Sequence, residues 1–289
     1  MRGSLNKSLI ASVILGLIIS SLSYFFQPLF PFKSIAHRGA SAYAPENTMA
    51  AFEKAVDLGF DYIELDVRMS KDHQLVVIHD GDVKRTTNGE GFVNEMTVEE
   101  LKQLDAGSWF DEAYEGEKIP LLYEVLEQFG EKIGLLIEMK SPETENMMTE
   151  SLSILLSSFI KDGLNPRAIK VQSFHVNEIK KFHELSPNIE AGILLSKPLD
   201  MFHLASYRSF ASFVAVHHPL LSKSFISQAK LLDYEVYSWT IKHQYQFSIM
   251  QRLKVHGIIS NEEKKTASNQ SLAINFFKRG QELIKRSFM

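Results

Sequence analysis

Four successive apolar segments end in side chains that can bind a cation or move a proton. In chain order these side chains are His37-Arg38, Glu64-x-Asp66, His79-Asp80 and Glu138-x-Lys140. A spacing of two places both carboxylates of Glu64-x-Asp66 on one face of a strand. Converging carboxylates repel one another unless a cation lies among them, and an all-oxygen ligand set suits Mg²⁺ or Ca²⁺. One such pair alone is typical of a surface ion pair or a turn, but their recurrence at four segment ends indicates a cation site flanked by imidazoles.

The elements that must position these side chains alternate between two patterns. From Lys33 onward, short segments rich in β-branched and apolar residues alternate with longer helical patterns, which is typical of βα units around a mostly parallel sheet. The helical patterns include residues 47–58, which begin at an Asn47 or Thr48 cap, and residues 176–184. Nine strands are predicted, at residues 34–37, 62–67, 75–79, 134–138, 169–174, 190–195, 213–216, 235–240 and 257–260. A (β/α)8 TIM-type barrel needs only eight strands, and its active site lies at their carboxyl ends.

The surplus strand is explained by a short link. A parallel crossover needs about a dozen residues, whereas only residues 70–74 separate the second strand region from the third, so the two should form a β-hairpin. A turn centred on Asp72 and His73 pairs Asp66 with His79. Residues 81–119 follow this hairpin, and their Gly-rich polar stretch and short helix at 98–104 are predicted to be a small insertion without a core of its own.

The composition excludes several classes of protein. The 289 residues include 31 basic and 35 acidic side chains, for a net charge of −4, and 45% are hydrophobic. A nucleic-acid-binding protein would need a basic excess, and a disordered chain would contain fewer apolar residues. The absence of cysteine excludes disulfides, zinc-thiolate sites and thiol catalysis.

The first 32 residues differ from the rest of the chain. Residues 8–32 carry no charge, and Arg2 and Lys7 precede them. This segment exceeds the roughly 20 residues that span a bilayer, so it is predicted to be a transmembrane anchor or a signal peptide cleaved after residue 23. The apolar character continues past that position, which favours the anchor. The basic residues stay on the inner side of the membrane. The chain is therefore expected to be a single-pass protein of the cell membrane with its domain on the outer face, or to be secreted after cleavage of the signal peptide.

Three regions are therefore predicted. Residues 1–32 are the membrane anchor or signal segment, residues 33–261 are the barrel, and residues 262–289 are a basic amphipathic tail. The tail has alternating apolar and basic residues that can lie on an anionic membrane surface. Packing against the barrel, or a frayed end, is the alternative interpretation.

The motifs of residues 34–261 resemble those of the glycerophosphodiester phosphodiesterases. They occur in that family's order as Ile35-Ala36-His37-Arg38-Gly39-Ala40, Pro45-Glu46-Asn47-Thr48, Glu64-Leu65-Asp66-Val67, Val77-Ile78-His79-Asp80, Arg85-Thr86-Thr87-Asn88-Gly89, Leu104-Asp105-Ala106-Gly107-Ser108-Trp109-Phe110, Ile119-Pro120 and Ile137-Glu138-Met139-Lys140. The resemblance implies a β/α barrel of the phospholipase C-like type and one divalent cation. It also implies hydrolysis of glycerophosphodiesters to glycerol 3-phosphate and an alcohol.

The same resemblance assigns roles to single residues. His37 and His79 match the family's general acid/base pair, and the metal ligands match Glu64, Asp66 and Glu138. The side chains expected to contact the substrate are Arg38 and Lys140 at the phosphate, Trp239 as an aromatic wall against the glycerol, and Phe174. Apart from the resemblance, Gln172 and Phe174 end the fifth predicted strand and are expected to line the site.

Three late positions need separate interpretation. Lys242 stands where the family commonly has asparagine, and Ser260-Asn261 where it commonly has Thr-Asp. Drift at positions behind the site is the favoured explanation, with altered substrate choice as the alternative.

His217 and His218 are adjacent, and neighbouring residues on a strand face opposite sides, so we do not expect them to share a metal ion.

The expected partner is a small glycerophosphodiester or a lipid-derived substrate, and the oligomeric state is left open. Two alternatives stay open at this point. One is a phosphodiesterase for lysophospholipids or poly(glycerol phosphate) at the membrane. The other is a non-catalytic barrel that binds headgroups, which should lack at least one of the histidines or carboxylates, whereas this chain has them all.

Overall fold

Parallel strands close into a barrel in the computed structural model, which describes residues 31–141, 145 and 147–263. The strands are β1 (Lys33–His37), β2 (Tyr62–Met69), β3 (Leu75–Val77), β4 (Gly134–Met139), β5 (Ile169–Ser173), β6 (Glu190–Leu195), β7 (Phe213–His217), β8 (Glu235–Ile241) and β9 (Gly257–Ser260). The sheet order is β1-β9-β8-β7-β6-β5-β4-β2-β3, and an additional β1–β2 pairing closes the ring. Eight strands are therefore parallel members of the barrel, and β3 pairs antiparallel with β2 outside it. The predicted TIM-type barrel with its hairpin is confirmed.

Helices follow most strands and cover the barrel. They are α1 (Met49–Asp57), α2 (Val98–Gln103), α3 (Leu122–Phe129), α4 (Met148–Lys161), α5 (Val176–Leu185), α6 (Met201–Tyr207), α7 (Lys223–Leu231) and α8 (Gln244–Leu253). Of the two predicted caps of α1, Thr48 is correct, because its hydroxyl accepts a hydrogen bond from the Ala51 amide at 3.3 Å. Asn47 instead adopts a left-handed backbone conformation with φ 58° before the helix.

The barrel interior is filled by large apolar side chains. Phe213 and Tyr237 stack inside it with ring centroids 4.9 Å apart, together with Leu136, Leu194 and Ile259. A Cβ atom on Gly192 would lie 2.2 Å from the Phe213 ring, so only glycine leaves room for that ring. These side chains form a floor that closes the barrel below its mouth.

The two ends of the barrel differ in chemistry. At the end where the strands begin, Lys33 donates to Glu235 at 2.9 Å, and the buried Lys170 forms an ion pair with Glu190. The opposite end, where the strands finish, is the open mouth. The last described residue, Glu263, lies beyond the end of β9 and accepts a hydrogen bond from Tyr43 at 2.6 Å. The described chain therefore enters the barrel at the closed end and leaves it at the mouth.

The predicted register of the hairpin is wrong by one residue. Val67 pairs with Val77, so Asp66 lies opposite Ile78, whose amide donates to the Asp66 carbonyl at 3.0 Å. The cause is the loop, in which the Ser70 amide bonds to the Gln74 carbonyl at 2.9 Å. Three residues remain between them, and His73 takes the left-handed conformation that such a loop needs, with φ 59°.

The insertion at residues 81–119 packs against the outside of the hairpin. Its apolar side chains form a small buried cluster with two residues of the β3 region, composed of Val76, Ile78, Val83, Val93, Leu101, Ala106 and Ile119. The Tyr114 hydroxyl also donates to the Tyr43 carbonyl at 2.8 Å, which joins the insertion to the loop after β1. The insertion thus shares its buried cluster with the hairpin.

Within the described residues, no helix is long and apolar enough to cross a membrane. The predicted anchor or signal segment, apart from its last two residues, and the tail from residue 264 onward lie outside the described residues.

Candidate active site

Three carboxylates converge at the mouth of the barrel. Glu64, Asp66 and Glu138 each place an oxygen within 4.8 Å of the others, and all three side chains are buried. The strand register brings them together, because Asp66 pairs with Glu138 across β2 and β4. The structure therefore unites the three residues that the sequence predicts as metal ligands.

The electrostatics of this triad favour a bound cation. Burial, together with the charges of Asp66 and Glu138, raises the pKa of Glu64 well above its usual range. Burial and the Asp66 charge raise the pKa of Glu138 to about 7. Buried oxygens that repel one another in this way fit a hard divalent cation, which would remove the repulsion.

Asp66 behaves differently from the other two carboxylates. Burial acts to raise its pKa, but the charges of Lys140 and Arg38 outweigh burial and lower it. The carboxamide of Asn47 also donates to Asp66 Oδ2 at 2.9 Å. Asp66 is thus held in its charged form, and Asn47 contacts it from a left-handed backbone conformation.

His37, at the end of β1, is backed by a neutral partner. Its Nδ1 lies 2.7 Å from Oδ1 of Asn261, which follows β9. An amide oxygen only accepts hydrogen bonds, so Nδ1 carries the proton and Nε2 keeps its lone pair. Burial, and then the charge of Arg38, lowers the pKa of His37 to about 4. The ring is therefore neutral near pH 7.

His79 is backed by a charged partner. Its Nδ1 lies 2.6 Å from Oδ1 of Asp80, whose other oxygen accepts from Arg85. Burial acts to raise the pKa of Asp80, but hydrogen bonds from Arg85 and His79 lower it to about 2. Nε2 of His79 lies 3.2 Å from the Lys140 ammonium. Burial and Lys140 lower the pKa of His79, whereas Asp66 and Asp80 act to raise it.

His79 reaches the mouth although β3 ends two residues before it. The Arg68 side chain donates to the His79 carbonyl at 2.9 Å, and its other end forms a 2.6 Å ion pair with Glu145. This bridge holds the segment after β3 against the barrel.

Two cationic side chains lie beside the carboxylates. The Lys140 ammonium is 2.6 Å from Glu138 Oε1 and 3.6 Å from Asp66 Oδ1. Arg38 has a left-handed backbone, with φ 56°, and its amide donates to Glu64 Oε2 at 2.9 Å. Its guanidinium contacts Glu46 at 2.7 Å. Both cations are fixed by carboxylates and can attract a phosphate to the cleft.

An aromatic wall forms the other side of the cleft. The rings of Phe174 and Trp239 meet edge to face with centroids 5.7 Å apart, and the Trp239 indole donates to the Ala215 carbonyl at 2.9 Å. His217 packs behind Trp239 at 5.1 Å, whereas His218 contacts Gln246, so the two adjacent histidines have separate partners. The cleft as a whole is lined by His37, Arg38, Glu64, His79, Glu138, Lys140, Gln172, Phe174, Leu194, Trp239, Thr240 and Ile259.

Several supporting residues had no role in the sequence interpretation. Glu46 bridges Arg38 and Arg85, and Asn261 orients His37. Glu46 and Arg85 belong to motifs that the sequence shares with the family, and these motifs could have indicated that the two residues support the site. Asn261 carried a weaker signal, as a departure from the family pattern.

Comparisons with known proteins agree with this geometry. The glycerophosphoryl diester phosphodiesterase family matches residues 37–265. The Bacillus subtilis protein YhdW, provisionally named a glycerophosphodiester phosphodiesterase, is 42% identical over 230 residues, which are 78% of this chain and 93% of that protein. A glycerophosphodiester phosphodiesterase of Caldanaerobacter subterraneus is 37% identical over 230 residues, which are 79% and 93% of the two chains.

A solved structure has the same fold. A phosphodiesterase of Oleispira antarctica, in complex with the product sn-glycerol-3-phosphate, superposes with a TM-score of 0.72. It is 30% identical, and the match covers 85% of this chain and 97% of that one.

Proposed function

The chain belongs to the glycerophosphodiester phosphodiesterase family, and we propose that it hydrolyses glycerophosphodiesters to glycerol 3-phosphate and an alcohol with the help of one divalent cation, Ca²⁺ or Mg²⁺. The observation that carries this proposal is the cleft itself. It contains three buried carboxylates, two oriented imidazoles and the two cationic side chains of Arg38 and Lys140. The product complex of the Oleispira relative supports the choice of product.

Glu64, Asp66 and Glu138 would hold the cation. When bound, it stabilises negative charge on the phosphate as a Lewis acid. Arg38 and Lys140 contact these carboxylates and would attract the phosphate to the same place. Those two side chains offset the charge that develops on the non-bridging oxygens.

The histidines divide the proton transfers according to their partners. His37 Nε2 has a free lone pair and takes the proton of the glycerol hydroxyl beside the phosphate, which attacks the phosphorus. The bond to the leaving alkoxide breaks as His79 donates a proton to it, leaving a cyclic phosphate. The charge of Asp80 favours the imidazolium form of His79 against burial and the Lys140 charge, which lower its pKa, whereas Asn261 offers His37 no such charge. Water then opens the cyclic phosphate with the two roles reversed.

The wall of Trp239 and Phe174 excludes water from one side of the substrate. Flat apolar faces also suit the carbon chain of a glycerol, in line with the role that the resemblance implies for Trp239.

The test is release of glycerol 3-phosphate by the purified full chain. The panel contains glycerophosphocholine, glycerophosphoethanolamine, glycerophosphoglycerol, a lysophospholipid and poly(glycerol phosphate), each with chelator, Ca²⁺ or Mg²⁺. We expect the enzyme to release glycerol 3-phosphate, chelator to abolish this release, and either Ca²⁺ or Mg²⁺ to restore it. Binding of the panel without release from any member would identify a headgroup-binding barrel instead.

We also propose that residues 8–32 anchor the enzyme in the cell membrane with its barrel outside. The uncharged length of the segment and the basic residues before it support this placement. Membrane fractionation with amino-terminal sequencing distinguishes the anchor from a cleaved signal, because cleavage would free a protein that begins near residue 24. If a protease added to intact cells fails to cleave the barrel, that result would contradict the orientation.

The tail is proposed to bind an anionic membrane surface. Its basic and apolar residues support that role. Deleting residues 264–289 should weaken binding to anionic vesicles, and unchanged binding would exclude the tail from it.

A further inference from the structure

Gln172, in β5, has a buried carboxamide without a partner. The side chain is 1% exposed, and its Oε1 accepts no hydrogen bond. Within the described part of the chain, its Nε2 has no hydrogen-bond partner either. Buried polar groups in folded proteins are nearly always hydrogen-bonded, so an exception in the lining of a functional cleft points to a group that binds there.

The carboxamide lies in the wall of the catalytic cleft. In the strand register Gln172 pairs with Glu138, one of the triad, and Phe174 stands two residues further along the chain. Two neighbouring polar side chains of the cleft are already engaged. His37 contacts Asn261, and Lys140 contacts Glu138. Gln172 therefore offers an unused donor and acceptor between the cation site and the aromatic wall.

The chemistry of this position selects the ligand. Near pH 7 a phosphate offers chiefly hydrogen-bond acceptors. A cation is bound only by atoms with lone pairs, so it would leave the donor unused. A hydroxyl group can both donate to the carboxamide oxygen and accept from its nitrogen. Leu194, Phe174 and Trp239 line the same cleft and suit carbon-bound hydrogens. A polyol, with hydroxyls on a short carbon chain, matches both features.

We propose that Gln172 binds the terminal hydroxyl of the substrate's glycerol, the hydroxyl that takes no part in the chemistry. This inference rests on the proposed function. It makes Gln172 a specificity-determining residue that favours diesters whose glycerol end is unsubstituted. An acyl chain on that hydroxyl, as in a 1-acyl lysophospholipid, removes the donor and adds bulk against a buried side chain. Sites that hydrogen-bond a hydroxyl discriminate strongly against analogues without it.

The experiment compares two ligands that differ only in this hydroxyl. Glycerol 3-phosphate and 2-hydroxypropyl phosphate, which lacks the terminal hydroxyl, are titrated into the full chain by calorimetry. We expect the first to bind the unmodified enzyme at least tenfold more tightly. In Gln172→Leu the preference should fall to within twofold, with 2-hydroxypropyl phosphate bound as before. The Kd for Ca²⁺ should not change.

A second readout uses activity. In Gln172→Leu, kcat/KM for glycerophosphocholine should fall tenfold or more while the value for 1-acyl lysophosphatidylcholine stays constant or rises. Gln172→Glu, which keeps the size and one acceptor, covers the case that the leucine variant does not fold. A comparable loss of Ca²⁺ affinity would instead identify Gln172 as a cation ligand and overturn the proposal.

The unmodified enzyme alone also decides the question. Hydrolysis of glycerophosphodiesters with equal affinity for the two ligands would overturn this inference and leave the proposed function standing. Absence of both hydrolysis and glycerol 3-phosphate binding would overturn the proposed function, and this inference with it.

Discussion

His37 and His79 share a cleft but are supported from behind in different ways. His37 bonds at 2.7 Å to the amide oxygen of Asn261, which carries no charge. His79 bonds at 2.6 Å to the carboxylate of Asp80, which is itself held by Arg85. Both partners fix a tautomer with the proton on Nδ1, but only the carboxylate also stabilises a protonated ring. The comparison teaches that orientation and charge are separate contributions, and the variants below separate them.

Removing either ring has the largest expected effect. His37→Ala and His79→Ala should each lower kcat by about 10²- to 10⁴-fold, the range of general acid–base catalysis. The double variant should lose little more than the worse single variant, because in the proposed mechanism the two rings act in one proton-transfer sequence. Steady-state kinetics with glycerophosphodiesters measures both.

The matched control is His203→Ala. His203 is an exposed histidine that also contacts an aspartate, Asp200, at 2.7 Å. The His203→Ala variant should retain full activity. A His37 or His79 variant within tenfold of the unmodified enzyme, with unchanged circular dichroism, would contradict the assigned role.

Removing the charge behind His79 is the next largest change. Asp80→Asn keeps a hydrogen-bond acceptor but makes this histidine resemble His37. We expect kcat to fall by about 10- to 100-fold, the usual cost of disturbing a group that orients a functional side chain. Asp200→Asn, at the surface pair with His203, is the control and should have no effect. Equal activity of Asp80→Asn would show that Asp80 only orients the ring.

Adding a charge behind His37 is the reverse exchange. Asn261→Asp should raise the pKa of His37 from about 4, because a carboxylate favours the imidazolium. His37 acts as a base only when unprotonated, so a higher pKa moves the acidic limb of kcat/KM to higher pH. Activity should therefore fall about twofold at pH 5 for a shift of about one unit, and change little at pH 8. A pH profile that keeps its acidic limb would disprove the assignment of that limb to His37.

The smallest effect is expected from the outer ion pairs. Arg85 contacts Asp80 and Glu46, but its side chain is 43% exposed. Exposed ion pairs contribute about 0–1 kcal/mol, so Arg85→Ala should lower kcat no more than about fivefold. High salt should reduce the difference from the unmodified enzyme. A loss as large as that of Asp80→Asn would mean that Asp80 depends on Arg85 for its effect on His79, and that the ion pair matters more than its exposure indicates.

The fold and the carboxylate triad were accessible from sequence because their signals are local. Alternating patterns reveal strands, and a spacing of two residues fixes which side chains share a face. Glu64, Asp66 and Glu138 therefore follow from positions within two strands. The hairpin itself followed from the shortness of one link.

Contacts between distant residues were not accessible. Asn261 reaches His37 only because β9 closes the barrel beside β1, 224 residues away in the chain. The one-residue error in the hairpin has a different cause. The left-handed conformation of His73 determines whether its loop has two or three residues, and hydrophobic pattern carries no record of it. The orphan carboxamide of Gln172 likewise depends on the absence of neighbours that only packing reveals.

The opposite ends at which the described chain enters and leaves the barrel have a practical consequence for handling the enzyme. A linker attached ahead of Lys33 joins the closed end, so a surface that holds the protein there leaves the cleft open to solution. A fusion attached after Glu263 begins three residues from Asn261 and therefore close to the hydrogen bond that orients His37. Immobilisation through the amino-terminal side should preserve turnover, and bulky cargo on the carboxyl-terminal side should cost it.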